Sequence, residues 1–238
     1  MRVSTLAPLA LALIASGCQA APETSARTTM GLMSTLPLYW GEAGDVGEVL
    51  GGEAKPAWVR QALEERFVLE PLDVLTAEKL AGLATLVLAQ PRALSADENV
   101  ALDGWVRGGG RLLLFADPLL TGHSRFAIGD KRRPQDVVLL SPILAHWGLE
   151  LSFDEAQPPG ERVVEFAGVP VPVVMAGQFR AAPGAQCIVS AGAVLAQCRI
   201  GRGRVTALAD AAVLDEPEDA ALPSRRRALA ALLEPAFR

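Results

Sequence analysis

Aromatic residues are scarce in this chain: they make up 5% of its 238 residues, and there is a single tyrosine. Because bases and sugars stack on aromatic rings, this scarcity disfavours a groove for single-stranded nucleic acid or sugars. The chain also lacks an excess of positive charge, since its formal net charge is −5. Nucleic acids attract basic proteins, so the charge balance is a second argument against a nucleic-acid partner.

Histidine and cysteine are rare as well, with two and three residues respectively. Cys187 and Cys198 have no histidine nearby, and two thiolates alone make a poor metal site. We therefore expect neither a metal nor a cofactor. The two cysteines flank a segment with Ala191-Gly192 at its centre, which could turn a hairpin. They would then either bridge two antiparallel strands or stay as two buried thiols.

A third feature that the sequence lacks is an apolar run long enough for a comfortable transmembrane span. Residues 6–14 form a short apolar run after a basic start, and the sequence IASGC follows, ending at Cys18. This pattern is typical of a secretory signal. Its end resembles the lipobox of bacterial lipoproteins, in which the cysteine is lipidated. An ordinary signal peptide, cut at nearby small residues, is the alternative.

The lipobox interpretation sets the expected organisation of the chain. Residues 1–18 are predicted to be a lipoprotein signal peptide and lipobox, residues 19–30 a small, polar tether, and residues 31–238 a single α/β domain. Acyl chains on Cys18 would hold the domain in the periplasm, at the outer or the inner membrane. Export would also place the two remaining cysteines where a disulfide persists.

The architecture is clearest in residues 83–118, which read LATLVLAQPRALSADENVALDGWVRGGGRLLLFADP. Two apolar runs enclose an amphipathic segment that opens with the capping sequence Ser95-x-x-Glu98 and ends at three glycines. This order predicts a βαβ unit of a parallel sheet, with an apolar helical face formed by Val100, Leu102, Trp105 and Val106. Further patterns predict helices at 56–66, 141–148 and 224–233, a strand within 67–75, edge or antiparallel strands at 163–174, and a hairpin at 194–209.

Several of these blocks together resemble the auxiliary, gliding-motility-type component of uncharacterised ABC transport systems. In that family a helix begins near LSxxE and contains ALDxYVxxGGK, and the next strand ends in Asp-Pro. The later blocks SPILAHWGLEL and IGRGRVTALADAAVLDE resemble the family's NPLLExYGIxL and GKGRVVVVGDSDFL. The resemblance covers about residues 31–235. It implies a three-layer, flavodoxin-like fold of the class I glutamine amidotransferase type, here with a mostly parallel sheet and an antiparallel C-terminal hairpin. A lipobox stands where the family has a membrane anchor.

Candidate ligand-binding residues follow the predicted parallel strands, because such sheets bind ligands at the carboxyl ends of their strands. They are Gln90, Asp117, His123 and Asp210. Asp117 and Asp210 each follow an apolar strand and could together bind a cation or serve as acid and base. Alternatively, each carboxylate accepts hydrogen bonds from the main chain that follows it, and His123 is an exposed loop residue.

Catalytic residues are not predicted. An amidotransferase-like nucleophile needs a thiol or hydroxyl at the turn after a strand, and the sequence FADP offers none there. The leading hypothesis is therefore a noncatalytic periplasmic lipoprotein, an accessory or binding component of an ABC-type transport or envelope system with permease and ATPase partners. The alternatives are a small-molecule hydrolase or ligand-binding enzyme that uses the strand-end carboxylates, and a structural envelope scaffold that acts through residues 41–55.

Overall fold

A computed structural model describes residues 27–41 and 56–237 of the chain. The predicted signal peptide, the lipobox with Cys18, the tether as far as residue 26 and most of the predicted 41–55 loop lie outside these residues. Within the two described ranges, no helix combines the length and the apolar character that crossing a bilayer requires.

Eleven strands form within the described residues. They are β1 (Thr28–Ser34), β2 (Phe67–Pro71), β3 (Thr85–Ala89), β4 (Arg111–Phe115), β5 (Leu149–Ser152), β6 (Glu161–Phe166), β7 (Val169–Val174), β8 (Gln178–Ala181), β9 (Cys187–Ser190), β10 (Leu195–Ile200) and β11 (Gly203–Leu208). β1 begins at Thr28, so the last residues of the predicted tether belong to the first strand. The domain therefore starts three residues earlier than predicted.

The helices of the described ranges are five α-helices and two short 3₁₀ helices. They are α1 (Trp58–Glu64), α2 (Ala77–Ala81), α3 (Ala96–Arg107), α4 (Ser141–His146) and α5 (Leu222–Phe237), with 3₁₀ turns at Ala212–Leu214 and Asp219–Ala221. Each predicted helical segment overlaps one of these α-helices, because capping residues and apolar spacing are local signals that a single segment carries by itself.

The central sheet has seven strands in the order β2-β1-β3-β4-β11-β10-β9. β2, β1, β3, β4 and β11 run parallel, β10 pairs antiparallel with β11, and β9 at the edge pairs antiparallel with β10. Every residue of β3 is buried, and so are Leu112–Phe115 of β4. Since successive strand residues point to opposite faces, both faces of the sheet are covered. The mixed α/β fold with a mostly parallel, flavodoxin-like sheet and antiparallel C-terminal strands is thus confirmed.

Helix α3 shows how one buried charge aligns the helix on the sheet. Ser95 and Glu98 form the capping box, and the buried Glu98 carboxylate also accepts hydrogen bonds from the Leu75 main chain and the Arg92 guanidinium. The hydrogen bond from Arg92 is the main reason why the pKa of Glu98 falls to about 2. Glu98, Leu102 and Val106 form the buried face at a spacing of four residues. The prediction for Val100 was wrong, because it lies off this face and is 72% exposed.

The turn between β10 and β11 lies against the end of α3. Main-chain amides of Arg202 and Arg204 donate to the carbonyls of Arg107 and Gly110 at 3.1 Å each. A Cβ atom on Gly203 would overlap the carbonyl oxygens of Val106 and Gly110. Glycine at 203 therefore permits a backbone contact that positions β11 beside β4.

The residues between β4 and β9 add two antiparallel pairs outside the central sheet. β5 pairs with β8, and β6 pairs with β7, as the prolines and alternation of residues 163–174 predicted. At the sheet edge, Cys187 of β9 lies directly opposite Cys198 of β10, and the structure joins them in a disulfide bond. Of the two alternatives, the structure therefore contains the bridged form.

Candidate functional site

Gln90 lies directly after β3, at the carboxyl edge of the sheet, and is fully buried. Its side-chain amide donates to the carbonyl oxygens of Asp117 (3.0 Å) and Gln135 (2.8 Å), and its Oε1 accepts from the Asp117 main-chain N–H (2.9 Å). Its backbone adopts a positive φ of 46°, a conformation that side-chain-bearing residues rarely adopt. Gln90 therefore holds neighbouring strand ends together through a side-chain amide whose oxygen and nitrogen are both hydrogen-bonded, and its contact with a ligand stays a prediction.

The segment Gln135–Val138 crosses the ends of the central strands. The Gln135 N–H donates to the Thr35 hydroxyl after β1 at 3.0 Å, and the Val138 N–H donates to the Asp117 carbonyl after β4 at 3.0 Å. The Thr35 hydroxyl in turn donates to the Gln90 carbonyl. The ends of β1 and β3 form the topological switch point, where flavodoxin-like folds bind ligands. In this chain the segment Gln135–Val138 crosses that point and is hydrogen-bonded to the residues that follow β1 and β4.

Asp117 is the second predicted site residue and is 1% exposed. Its carboxylate accepts hydrogen bonds from the main-chain amides of Leu119 (2.8 Å) and Ala211 (3.2 Å). Burial raises its pKa to about 6, because removal from water disfavours the charged form more than these two hydrogen bonds favour it. Asp117 thus fixes the start of the loop after β4 and ties it to the end of β11.

Asp210 follows the neighbouring strand β11 and is completely buried. Its two oxygens accept from the amides of Val174 at the end of β7 (2.8 Å) and Ala212 (2.6 Å). Burial and the negative charge of Asp117 raise its pKa well above the ordinary value for aspartate. The structure therefore brings Asp117 and Asp210 to one edge, as expected. It gives both carboxylates main-chain amide partners, which was the alternative interpretation, instead of exposing them to a ligand.

His123 lies in the loop after β4 and is exposed. It borders a cavity of about 310 Å³ at the same edge of the sheet, which we call the edge cavity. Leu36 and Leu38 after β1, Leu120 after β4, and Leu214, Asp215 and Glu216 after β11 contribute to its walls. Of the four predicted residues, His123 is the one that the structure places on this cavity.

Asp215 is the functional candidate that sequence reasoning missed. The 3₁₀ turn Ala212–Leu214 carries it back over the edge of the sheet, and it is half-buried. Burial is the main reason that its pKa rises to about 6, and the nearby Arg225 and His123 oppose that rise. Its acidic side chain five residues after Asp210 in the block ALADAAVLDE was the available signal. The sequence did not reveal its position, because the direction of the chain after Asp210 depends on the helical turn between the two residues.

A larger cavity of about 740 Å³ lies between α4, β5 and β8, away from these strand ends. Leu140, Leu144 and Leu149 are among its mainly apolar lining, and Glu150 and Arg180 form an ion pair at its border. Across residues 27–41 and 56–237, no group of three or more His, Cys, Asp or Glu side chains has an arrangement that could hold a metal ion.

The comparison with protein families adds an independent observation. A model of the family described as "ABC-type uncharacterized transport system" matches residues 27–164, which is more than half of the chain. The chain belongs to this family. The family is one of auxiliary components of ABC transport systems, so the predicted resemblance is confirmed at that level. The glutamine amidotransferase-like assignment stays a prediction. No curated protein matches the chain.

Solved structures share the fold at low sequence identity. The exo-β-1,4-mannosidase Op5Man5 from Opitutaceae bacterium strain TAV5 is 13% identical, with a TM-score of 0.53 over 88% of this chain and 36% of that one. The GH42 β-galactosidase Gan42B from G. stearothermophilus is 14% identical, with a TM-score of 0.51 over 88% and 30%. A ThuA-like protein from Bacteroides uniformis ATCC 8492 is 12% identical, with a TM-score of 0.48 over 93% and 94%. The chain thus spans about a third of the length of the two glycosidases, and the likeness concerns the fold alone.

Proposed function

We propose that the chain is a noncatalytic accessory or binding component of an ABC-type transport system, held in the periplasm by a lipid on Cys18. The match of residues 27–164 to the transport family carries this proposal. The disulfide between Cys187 and Cys198 supports export, because disulfides persist in oxidising compartments such as the periplasm.

The hydrogen bonds of the strand-end carboxylates support the noncatalytic part of the proposal. A general acid or base must come within hydrogen-bond distance of the substrate proton that it transfers. Asp117 and Asp210 are at most 1% exposed, and each accepts hydrogen bonds from two main-chain amides. Both carboxylates therefore stabilise the loops at the edge of the sheet.

Fractionation and affinity capture test the proposal with the full-length chain, tagged at its C-terminus and expressed in its native host. We expect wild type in the membrane fraction, together with an ATPase and a permease. The Cys18→Ser variant should move to the soluble periplasmic fraction because it loses the acyl chains. Cys187→Ser, which changes a cysteine outside the lipobox, is the matched control and should stay with the membrane. Membrane retention of Cys18→Ser would refute the lipid anchor, and repeated capture without ATPase or permease would refute the transport role.

One observation favours a second candidate, a small-molecule hydrolase or ligand-binding enzyme at the carboxyl edge. The pKa of Asp117, raised to about 6 by burial, lies near the pH at which a carboxyl group can exchange protons efficiently. Turnover of simple esters and amides by wild type, and its loss in Asp117→Asn at unchanged folding, would support this enzyme. Equal rates in the two proteins would rule out Asp117 as the acid or base.

A further inference from the structure

The edge cavity has the size and the walls of a site for a small molecule. Its volume of about 310 Å³ lies at the lower end of the range for small-molecule sites. Leu36, Leu38, Leu120 and Leu214 give it apolar walls from three different strand ends. A molecule with an apolar body of a few carbon atoms would fit such a space and remove these walls from water.

Asp215 provides the polar group of the cavity. Its main chain is fixed, because its N–H donates to the Ala212 carbonyl at 3.1 Å and its carbonyl accepts from the Trp58 indole at 3.0 Å. Among the residues that the structure describes, none donates a hydrogen bond to its half-buried carboxylate. A carboxylate that is partly removed from water gains most from a charged donor. A ligand in the cavity can supply that donor.

The charges around the cavity favour a cation over an anion. The described lining residues include two carboxylates, Asp215 and Glu216, one histidine, the exposed His123, and no lysine or arginine. Arg225 acts on Asp215 from α5, but its guanidinium donates to the Ala212 carbonyl and to the Glu161 carboxylate. Because the described residues hold no metal-binding group of side chains, an organic cation suits the cavity better than a metal ion.

Gly122 keeps the Asp215 carboxylate accessible from the loop after β4. A Cβ atom at position 122 would lie 3.2 Å from Asp215 Oδ1, closer than ordinary van der Waals contact. The absence of a side chain therefore leaves room beside the oxygen that a ligand would contact.

We propose that the edge cavity binds a small organic cation, with its ammonium or guanidinium group against the Asp215 carboxylate and its apolar body against the leucine walls. The cation is either a free amine or the lysine or arginine side chain of a partner protein, which share this chemistry. The inference does not depend on a transporter, and its test uses the purified full-length chain alone, in detergent.

Three six-carbon probes with matched apolar bodies test the charge preference: hexylamine, hexan-1-ol and hexanoate. The Trp58 indole N–H reports binding directly in ¹⁵N-resolved NMR, because it donates to the main chain of Asp215. We expect hexylamine to shift this signal in a saturable way, at least tenfold more tightly than the alcohol, and hexanoate to leave it unchanged. A pentapeptide with a central lysine distinguishes a free amine from the side chain of a partner protein as the natural ligand. Binding as tight as hexylamine assigns the site to a partner's side chain, and weaker binding assigns it to a free amine.

Substitutions at the cavity complete the test. Asp215→Asn removes the charge at constant shape and should weaken hexylamine binding about tenfold, the equivalent of one charge-assisted hydrogen bond. Gly122→Ala, which crowds the same oxygen while leaving the charge in place, should weaken it as well. Glu218→Gln makes the same charge change outside the described lining and should have no effect. The proposal is refuted if hexylamine does not bind at concentrations up to about 10 mM, if hexanol binds equally well, or if Asp215→Asn, folded by its NMR spectrum, binds hexylamine like wild type.

Discussion

The buried carboxylates at the edge of the sheet predict an unusual dependence of stability on pH. The pKa of Asp117 is raised from 3.8 to about 6, so the folded state holds this proton more tightly than the unfolded chain does. The stability that the proton provides is complete below about pH 4 and is lost as the pH rises through about 6. Asp210 and Asp215 have pKa values raised in the same direction. We therefore expect the protein to be more stable at pH 5 than at pH 7.5.

The magnitude follows from the Asp117 value. A tenfold change in proton affinity corresponds to about 1.4 kcal/mol, so the ionised Asp117 costs the folded state about 3 kcal/mol. About half of this 3 kcal/mol of folding stability is lost when the pH rises from 5 to 7.5, which corresponds to a decrease in Tm of about 4 °C. Glu98 has the opposite influence on stability, because its pKa is lowered to about 2 and its ionised form stabilises the folded state. This contribution changes with pH only below about pH 4.5, which is outside the range of pH 5 to 7.5.

The assay is urea unfolding followed by tryptophan fluorescence at several pH values, in wild type and in Asp117→Asn. The variant loses one acceptor for the Ala211 N–H, which costs about 1 kcal/mol at every pH. It should nevertheless show a shallower loss of stability between pH 5 and 7.5, because Asp117 no longer titrates and no longer repels Asp210. Asp219→Asn, at an exposed carboxylate, is the control and should keep the wild-type slope. A wild-type stability that is flat or rises over this range, or an unchanged slope in Asp117→Asn, would refute the reasoning.

Three further predictions concern the packing and the crosslink, and each is tested by the free energy of unfolding of the variants. Gly203→Ala should prevent stable folding, because its Cβ overlaps two carbonyl oxygens, whereas Gly104→Ala, in open space inside α3, should stabilise by about 0.5–1 kcal/mol. Equal effects of these two substitutions would contradict the conclusion that a backbone contact requires glycine at 203. Glu98→Ala should cost about 2–3 kcal/mol, since it leaves the buried Leu75 amide, the Ser95 amide and the partly exposed Arg92 guanidinium without their acceptor. Replacing Cys187 and Cys198 together by serine should cost about 2–3 kcal/mol, and reducing agent should then have no further effect; a stability equal to that of the oxidised wild type would speak against the bridge.

The residues of α3 show where sequence reasoning succeeds and where it stops. Ser95 and Glu98 predicted the start of the helix correctly, because a capping box depends on residues three positions apart. Val100 was assigned to the wrong face because the buried stripe includes the charged Glu98, which apolar patterning does not count. The partners of Glu98 lie at Leu75 and Arg92, and these contacts become visible in the folded chain.

By itself, the sequence determined the βαβ unit, the positions of the main helices and the family of this protein, since apolar runs, caps and glycine stops are encoded within single segments. It also placed Asp117 and Asp210 at one edge, because parallel neighbours end on the same side. The tertiary structure decided the rest. The return of Gln135 over the strand ends, the pairing of Cys187 with Cys198, and the position of Asp215 on the edge cavity all join residues that are distant in sequence or turned by a loop. Such contacts depend on how the loops close over the sheet, which local patterns do not specify.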